Sequence, residues 1–253
     1  MGIWPDGKGL FQVTGLFEEL PWDTGCFGFK VARWRGPADP QALAGAMPSF
    51  QAAGVRLVYI FTPAGGGGPD AGMAEAGAKP VDRRTVFTRR MDGARASLIT
   101  VRSFPAEAPS SELLDLALAS GTHSRFRMDP EMPTRCFHAL YEAWIRRSTL
   151  REIADEVLVH GETGQLQGMV TIRQDGSTAH IGLIAVADAA RGKGLGSGLV
   201  LAAEAWALQK GASDMEVATQ GANQQAIALY GRCGYRIKAV EDVYHLWIPP
   251  EVS

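Results

Sequence analysis

The chain contains 253 residues, of which 46% are hydrophobic and 21% are charged. This balance is typical of a globular protein, and the length is enough for two domains. The formal net charge of −2 disfavours nucleic acid as the main partner, because a phosphate backbone is bound by clustered positive side chains. No apolar run reaches the length of a membrane span and the first residues lack the features of a secretory signal, so we expect no membrane partner.

The cysteines and histidines indicate neither disulfides nor a metal site. Cys26, Cys136 and Cys233 are far apart and odd in number, which favours free thiols and a reducing, cytoplasmic location. The five histidines show no spacing typical of metal ligands. We therefore expect no metal.

The segment 1–95 predicts a smaller α/β domain. A turn over 22–28 leads into a strand in which Phe27, Phe29, Val31 and Arg33 share one face. The remaining predictions for this segment are a helix over 41–53, strands over 55–61 and 83–91, and a glycine-rich loop over 63–69.

The segment 96–253 predicts a second α/β domain with a mixed sheet. Apolar residues indicate the strand 180–186, and apolar residues at three- and four-residue spacings indicate the helix after it. The order of the other elements is the one implied by the resemblance of this segment to a known superfamily, on the signatures given below. The predicted order is strand 98–102, helices 111–120 and 134–147, strands 156–160 and 166–173 around a turn at 161–164, strand 180–186, a helix ending at 210, strand 214–220, a helix beginning after Asn223, and strands 236–240 and 243–248.

A glycine-rich junction between the strand 180–186 and the following helix is the most informative stretch. Several glycines there let a ligand approach the backbone closely, and the start of a helix offers unpaired N–H groups and a positive dipole end. These features predict a site for a pyrophosphate. The junction consists of Arg191, Gly192, Lys193, Gly194, Leu195, Gly196 and Ser197.

The glycine spacing excludes two common phosphate loops. A Rossmann fingerprint needs a third glycine where Ser197 or Leu199 stands, and a Walker loop needs Ser or Thr where Gly194 follows Lys193. The pattern that fits is Arg-x-x-Gly-x-Gly, beginning at Arg191, directly after a strand. It resembles the acetyl-CoA signature of the GCN5-related N-acetyltransferase (GNAT) superfamily.

A second pattern strengthens this resemblance. Asn223 is followed by Ala226 after three residues and by Tyr230 after seven, and Gly234 and Tyr235 close the helix. The superfamily's second signature has this form. The resemblance implies a GNAT fold for 96–253, an N-terminal domain that contributes to the acceptor site and is either unrelated or a degenerate half of the same fold, and acetyl-CoA as cofactor. The cofactor-binding residues that it implies are Ile184, Ala185, Val186, Arg191, Gly192, Lys193, Gly194, Leu195, Gly196, Ser197, Asn223, Ala226 and Tyr230.

Three further segments resemble one member family, the dTDP-fucosamine (dTDP-4-amino-4,6-dideoxygalactose) N-acetyltransferases. They are 22–28, 124–127 with the aromatic helix that carries Tyr141 and Trp144, and 217–220. The resemblance implies acetylation of the 4-amino group of a dTDP-linked sugar. The implied substrate residues are Trp22, Phe27, Arg125, Arg127, Thr219 and Gln220.

Each of these assignments has an ordinary structural alternative. Trp22 and Phe27 are also typical core residues, Asn223 a typical helix cap, and Arg125 and Arg127 typical solvated charges. At the level of the whole protein, one alternative is a generic GNAT enzyme acting on a peptide N-terminus, a lysine or a small amine. Another is a non-catalytic acyl-CoA-binding module. The oligomeric state, with a homodimer as one option, is left open.

Amine acetylation from a thioester needs an acid for the leaving thiolate and a base for the amine. The superfamily resemblance makes Tyr230 the acid. The strand before the loop carries no Glu that could serve as the base. His180 on that strand and a relay of water molecules remain the two alternatives.

Overall fold

The computed structural model of the protein describes residues 13–65, 71–93 and 95–249. The strands of this part of the chain are β1 (Val13–Thr14), β2 (Phe17–Glu19), β3 (Lys30–Trp34), β4 (Val55–Pro63), β5 (Lys79–Arg90), β6 (Arg102–Ser103), β7 (Glu156–Glu162), β8 (Gln165–Asp175), β9 (Thr178–Val186), β10 (Asp214–Gln220) and β11 (Arg236–Trp247). The helices are α1 (Pro21–Phe27), α2 (Pro40–Gly45), α3 (Met47–Ala52), α4 (Ala71–Glu75), α5 (Ser111–Ser120), α6 (Arg125–Met128), α7 (Thr134–Thr149), α8 (Leu195–Gln209) and α9 (Gln224–Arg232).

The described residues form two compact units, each assembled from separate segments. Unit I contains Thr85–His123 and Tyr141–Lys238, and unit II contains 13–84, Ser124–Leu140 and 239–249. The division falls inside β5, α7 and β11. The predicted boundary near residue 95 stays a prediction about domain organisation.

Unit I is built around a mixed sheet in which the strand order is β5-β10-β9-β8-β7-β6. Strand β10 runs parallel to β9, whereas β8 is antiparallel to both β7 and β9. Helix α8 packs its buried face on this sheet, with Leu199, Val200 and Ala203 in the same apolar core as Ile172 and Ile181. Burial of such side chains stabilises the fold by about 1.5–3 kcal/mol each.

Unit II has its own sheet and core. Strand β4 lies between β3, to which it is parallel, and the 239–247 part of β11, to which it is antiparallel. Phe50 from α3 packs against Phe17 at a ring distance of 5.0 Å and against Trp34 at 5.9 Å. The unit therefore has a core of its own.

Most of the predicted elements are confirmed with shifted ends, and four predictions are wrong in detail. Residues 21–27 form helix α1 instead of a turn, because Pro21 stands at its first position and Gly28 ends it with a φ of 76°. The strand expected over 27–33 consequently starts at Lys30. The helix expected over 41–53 is divided at Ala46 into α2 and α3. The two strands expected after residue 235 form one continuous β11.

The strand expected over 98–102 is also wrong. Only Arg102–Ser103 pairs, with Val159 and Leu158 of β7. Leu98 is 97% exposed, so the apolar pattern there does not correspond to a buried strand. Of the predicted glycine-rich loop 63–69, residues 66–69 lie outside the described residues. Within the described residues, no helix combines the length and apolarity that a membrane span requires.

Candidate functional site

Strands β9 and β10 separate at the end that leads to the glycine loop. Their paired residues run from Thr178 with Asp214 to Ile181 with Val217. Beyond this pair, β9 continues to Val186 and β10 to Gln220. Backbone N–H groups on the separated part of β9 can therefore reach a ligand between the strands, and the opening is the first feature of the candidate site.

The candidate cofactor and substrate residues at these strand ends lie where the sequence predicted them. Ile184, Ala185 and Val186 pair on their other side with β8, opposite Val170, Met169 and Gly168. Thr219 and Gln220 lie on the separated part of β10, and Thr219 is buried. The structure therefore brings two of the predicted substrate residues to the same opening as the predicted cofactor strand.

The glycine loop connects this opening to helix α8. Gly192 and Gly194 have φ values of 77° and 80°, in the left-handed region that glycine adopts without strain. Gly194 is the residue before the first helical position, and residues 191–194 are exposed. The N–H groups of Leu195, Gly196 and Ser197 occupy the first turn, where a helix provides no backbone acceptor. The loop therefore presents backbone donors and a positive dipole end to solvent.

Two cationic side chains flank the loop. Arg191 forms an ion pair with Asp188 at 2.7 Å and donates from Nε to the carbonyl of Val186 at 3.4 Å. The Nζ of Lys193 lies 3.4 Å from the carbonyl of Ala189. Both side chains are exposed, so an anionic ligand can compete for them. Geometry and charge together fit a pyrophosphate at this loop.

Helix α9 carries the second signature. The side chain of Asn223 accepts a hydrogen bond from the N–H of Ala226 at 3.1 Å, so it caps the helix. Tyr230 lies on the buried face, 2% exposed, with its ring centroid 5.5 Å from that of Phe87 and 5.9 Å from that of Tyr235. Burial raises the pKa of the Tyr230 phenol, with a smaller contribution from Cys233. The hydroxyl therefore stays protonated near neutral pH and can donate a proton.

His180, one of the two alternatives for the base, is poorly placed to accept a proton from the amine. It pairs with Glu216 of β10 and Arg173 of β8, so it lies in the closed part of the sheet. Six residues of extended chain, roughly 20 Å, separate it from the end of the strand at Val186. Burial lowers its pKa, against an opposing effect of Glu216. The imidazole is thus neutral at pH 7, but its location favours the alternative of a water relay.

One hydrogen-bond donor beside the opening, the indole N–H of Trp144, was not predicted from the sequence. The indole nitrogen of Trp144 is buried and forms no hydrogen bond with the described residues. This nitrogen lies 3.8 Å from the position that a Cβ on Gly182 would occupy. Gly182 directly follows Ile181, the last residue of β9 that pairs with β10. The ring of Tyr141 stacks on Trp144 at 5.8 Å. The two aromatic residues were visible in the sequence as part of α7, but the orientation of the indole N–H was not.

The remaining predicted substrate residues belong to unit II. The guanidinium of Arg125 lies 4.7 Å from the ring centroid of Tyr59 and 4.3 Å from that of Phe126, so it is held by cation–π contacts. Arg127 is exposed, with its guanidinium 5.6 Å from the ring of Phe137. Trp22 is half-buried on α1.

The assignment of Phe27 to the substrate is not supported. Phe27 is fully buried and packs against Phe29 and Phe126. Phe27 has neither accessible surface nor a polar atom, so its ring contacts only other core side chains. Phe27 is a core residue of unit II, which was the structural alternative for it.

Comparison with known proteins defines the class of protein. The profile of the acetyltransferase (GNAT) family matches residues 120–235, which include the glycine loop, Asn223 and Tyr230. The uncharacterised N-acetyltransferase YvbK of Bacillus subtilis is 32% identical over 114 residues, which cover 42% of this chain and 74% of that protein. The chain therefore belongs to the GNAT acetyltransferase family and is an N-acetyltransferase.

Two further comparisons extend over nearly the whole chain. The dTDP-fucosamine acetyltransferase of Escherichia coli O6:H1 is 26% identical over 229 residues, 90% of this chain and 96% of that protein. The structure of a GCN5-related N-acetyltransferase from Sphaerobacter thermophilus matches 94% of this chain and 78% of its own, with a TM-score of 0.59 and 15% identity. The structural likeness concerns the fold alone, and it agrees with the predicted α/β GNAT fold.

Proposed function

We propose that the protein transfers the acetyl group of acetyl-CoA to the 4-amino group of a dTDP-linked 4-amino-4,6-dideoxy sugar such as dTDP-fucosamine. The observation that supports the sugar most strongly is the similarity to a dTDP-fucosamine acetyltransferase over 90% of the chain. A match confined to the acetyltransferase signatures would support only the acyl donor. This match also includes unit II, in which Arg125 is held in place by two aromatic rings.

The glycine loop supports acetyl-CoA as the acyl donor. The N–H groups of the first turn of α8, together with Arg191 and Lys193, would hold the pyrophosphate. The left-handed glycines keep this backbone free of side chains. The opening between β9 and β10 would take the pantetheine arm, which can hydrogen-bond to the backbone of residues 184–186.

The residues around the opening would then assist the transfer. As the amine attacks the thioester carbonyl, negative charge develops on the oxygen, and backbone N–H groups near Ala185 and Val186 would stabilise it. When the carbon–sulfur bond breaks, Tyr230 would donate its proton to the thiolate. Its raised pKa keeps that proton available at neutral pH. The amine would lose its own proton to water, because His180 lies in the closed part of the sheet.

An acceptor screen tests this proposal. The purified protein is supplied with acetyl-CoA and, in separate reactions, a dTDP-linked 4-amino sugar, the free amino sugar, a polyamine and a lysine peptide. We expect kcat/KM for the dTDP-linked sugar to exceed that for the other amines by at least about 100-fold, because a site built for a nucleotide leaves polar groups unpaired with smaller amines. Mass spectrometry locates the acetyl group. Turnover of peptides or polyamines alone would contradict the sugar assignment and leave the family membership intact.

A further inference from the structure

Unit II contains a cavity of about 650 Å³ that none of the residues proposed for the reaction lines. Its size is within the range of small-molecule sites in proteins. Strand β4, the end of β11 and the beginning of α7 form its walls, together with the residues after α1. The side chains on which the argument depends are Phe29, Arg56, Glu131, Arg135 and Trp247.

Two arginines give the cavity positive charge. Arg135 donates from Nη1 to the carbonyl of Phe27 at 2.8 Å, which fixes its guanidinium at the wall. The Nε of Arg56 is buried and forms no hydrogen bond with the described residues. A buried donor without a partner costs free energy, which an anion at this position would recover. The charge of Glu131, also at the wall, is balanced by its ion pair with Lys79.

The beginning of α7 adds to this positive potential. Pro133 and Arg135, which flank its first residue, both line the cavity. The helix is 16 residues long, so the partial positive charge at its start is fully developed. Phosphate binds well where such a helix end and arginine side chains converge.

Aromatic side chains form another part of the cavity wall. Trp247 and Phe29 lie 5.7 Å apart between ring centroids. The indole nitrogen of Trp247 donates to Asp129 at 2.9 Å, and the same carboxylate accepts from His245 at 2.6 Å. These bonds fix the plane of the indole. A rigid aromatic wall beside arginine side chains is a typical arrangement for a nucleotide base and its phosphates.

We propose that this cavity binds the nucleoside diphosphate part of the acceptor. The diphosphate would bind Arg56, Arg135 and the start of α7, and the base would lie against Trp247 and Phe29. This inference rests on the proposed function, because it assigns one part of the proposed acceptor to a site. The cavity would be a second anion site besides the glycine loop, one in which two arginine side chains supply the main donors.

Calorimetric titration of the full-length protein with dTDP tests the assignment. Arg56→Gln and Arg135→Gln are each expected to weaken dTDP binding about tenfold or more, the range for loss of one hydrogen bond to a charged group. Arg146→Gln, at an exposed position in the last turn of α7, is the matched control and should bind as the wild type does. In kinetics, the two cavity variants should raise KM for the dTDP-linked sugar and leave kcat and acetyl-CoA affinity within about twofold.

Two further measurements separate binding from folding. Arg56→Lys and Arg135→Lys keep the charge and lose the planar fork, so their dTDP affinity should lie between those of the wild type and the Gln variants. Titration with inorganic pyrophosphate and with thymidine assigns the phosphate and base contributions. The arginine variants should weaken pyrophosphate binding and leave thymidine binding unchanged.

The outcomes distinguish this inference from the proposed function. Wild-type dTDP affinity in both Gln variants, with the dTDP-linked sugar still acetylated, would overturn the cavity assignment and leave the proposed function standing. The cavity assignment would also be overturned if the wild-type protein bound dTDP and pyrophosphate at the glycine loop only. The acceptor screen then decides the proposed function separately.

Discussion

The two units present positive potential to phosphate in different ways. In unit I the main donors would be backbone N–H groups at the start of α8, made accessible by Gly192 and Gly194, with the side chains of Arg191 and Lys193 beside them. In unit II they are the side chains of Arg56 and Arg135, of which Arg135 is fixed by its hydrogen bond to the carbonyl of Phe27. A backbone site tolerates side-chain replacement except where glycine is required, whereas a side-chain site depends on single charges. The two sites should therefore respond to opposite kinds of substitution.

The largest effect is expected at Tyr230 in unit I, because we propose it as the acid that protonates the leaving thiolate. Tyr230→Phe keeps the ring packed against Phe87 and removes only the proton donor. We expect kcat to fall about 10²- to 10⁴-fold, with little change in KM. Steady-state kinetics at saturating acetyl-CoA measure this effect.

Tyr235→Phe is the matched control, since Tyr235 is a buried tyrosine in ring contact with Tyr230. It should keep most of the activity. Equal losses in the two variants, or a Tyr230→Phe rate within about threefold of the wild type at a pH where chemistry is rate-limiting, would reduce Tyr230 to a packing residue.

The role of backbone N–H groups in the glycine loop is tested at Gly194. Gly194→Val introduces a side chain among the exposed N–H groups and opposes the left-handed φ of 80°. Acetyl-CoA affinity, measured by calorimetry, should fall on the order of 100-fold because several charge-assisted hydrogen bonds are lost together.

Gly211→Val controls for backbone strain. Gly211 has a φ of 85° just beyond the other end of α8, and in both glycines an added Cβ would meet open space. The control should lose stability to a similar extent and keep its acetyl-CoA affinity. Comparable affinity in the two variants would remove the assignment of the loop to the cofactor.

The units also differ in how they provide hydrogen bonds to a buried carboxylate. Glu204 in unit I lies between Arg89 at 2.9 Å and Arg95 at 2.8 Å, whereas Asp129 in unit II is bound by His245. Burial lowers the pKa of His245 to about 4, against the opposing hydrogen bond to Asp129. In the unfolded chain the imidazole has its usual pKa of about 6.5.

Stability should therefore depend on pH through unit II. Because the unfolded state takes up the proton first, the contribution of His245 is complete above pH 6.5 or so and is lost as the pH falls towards 4. The expected loss is on the order of 2–3 kcal/mol. Urea unfolding at several pH values measures it. His245→Gln, which still donates to Asp129 but does not titrate, should lack this component, and an unchanged pH dependence in the variant would contradict the prediction.

The smallest effect is expected at Trp144, whose indole N–H lies beside the opening in unit I. Trp144→Phe keeps an aromatic ring against Tyr141 and removes the indole N–H. If that group bonds to the acceptor, kcat/KM for the acceptor should fall about five- to tenfold, the range for one neutral hydrogen bond. Trp206→Phe, at a half-buried position on α8, is the control and should leave the ratio unchanged. An equal change in both variants would assign the effect to packing.

The features that the sequence could predict are those set by residues close together in the chain. The glycine loop, the Asn223 cap and Tyr230 occupy short stretches whose spacing is set by one turn or one helix, so pattern alone located them. The order of elements in unit I was predicted from the resemblance to the GNAT superfamily, which the two signatures carry. Helix α1 was missed although Pro21 and Gly28 are typical start and stop signals. The turn residues Asp23, Thr24 and Gly25 between them favoured a loop.

The rest depends on long-range contacts that no local pattern contains. Arg56 and Arg135 come from distant parts of the chain, and only the folded unit II brings them to one cavity. The apolar residues around Leu98 predicted a strand because periodicity does not reveal whether a partner strand is present. The burial of Phe27 and the closed location of His180 likewise follow from tertiary packing, which overrides any reading from residue type.

Two glycines of α8 also constrain which substitutions this chain can accept. A Cβ on Gly198 would lie 2.6 Å from Cγ1 of Ile99, with Cδ1 and Cγ2 of the same residue at 2.8 and 2.9 Å, and one on Gly196 would lie 3.3 Å from Leu229. Replacing a helical glycine by alanine ordinarily favours the helix by about 1 kcal/mol, but at residue 198 the added methyl group requires Ile99 to shift or to be replaced by a smaller residue. The side chains that positions 198 and 99 can carry are therefore coupled in this protein.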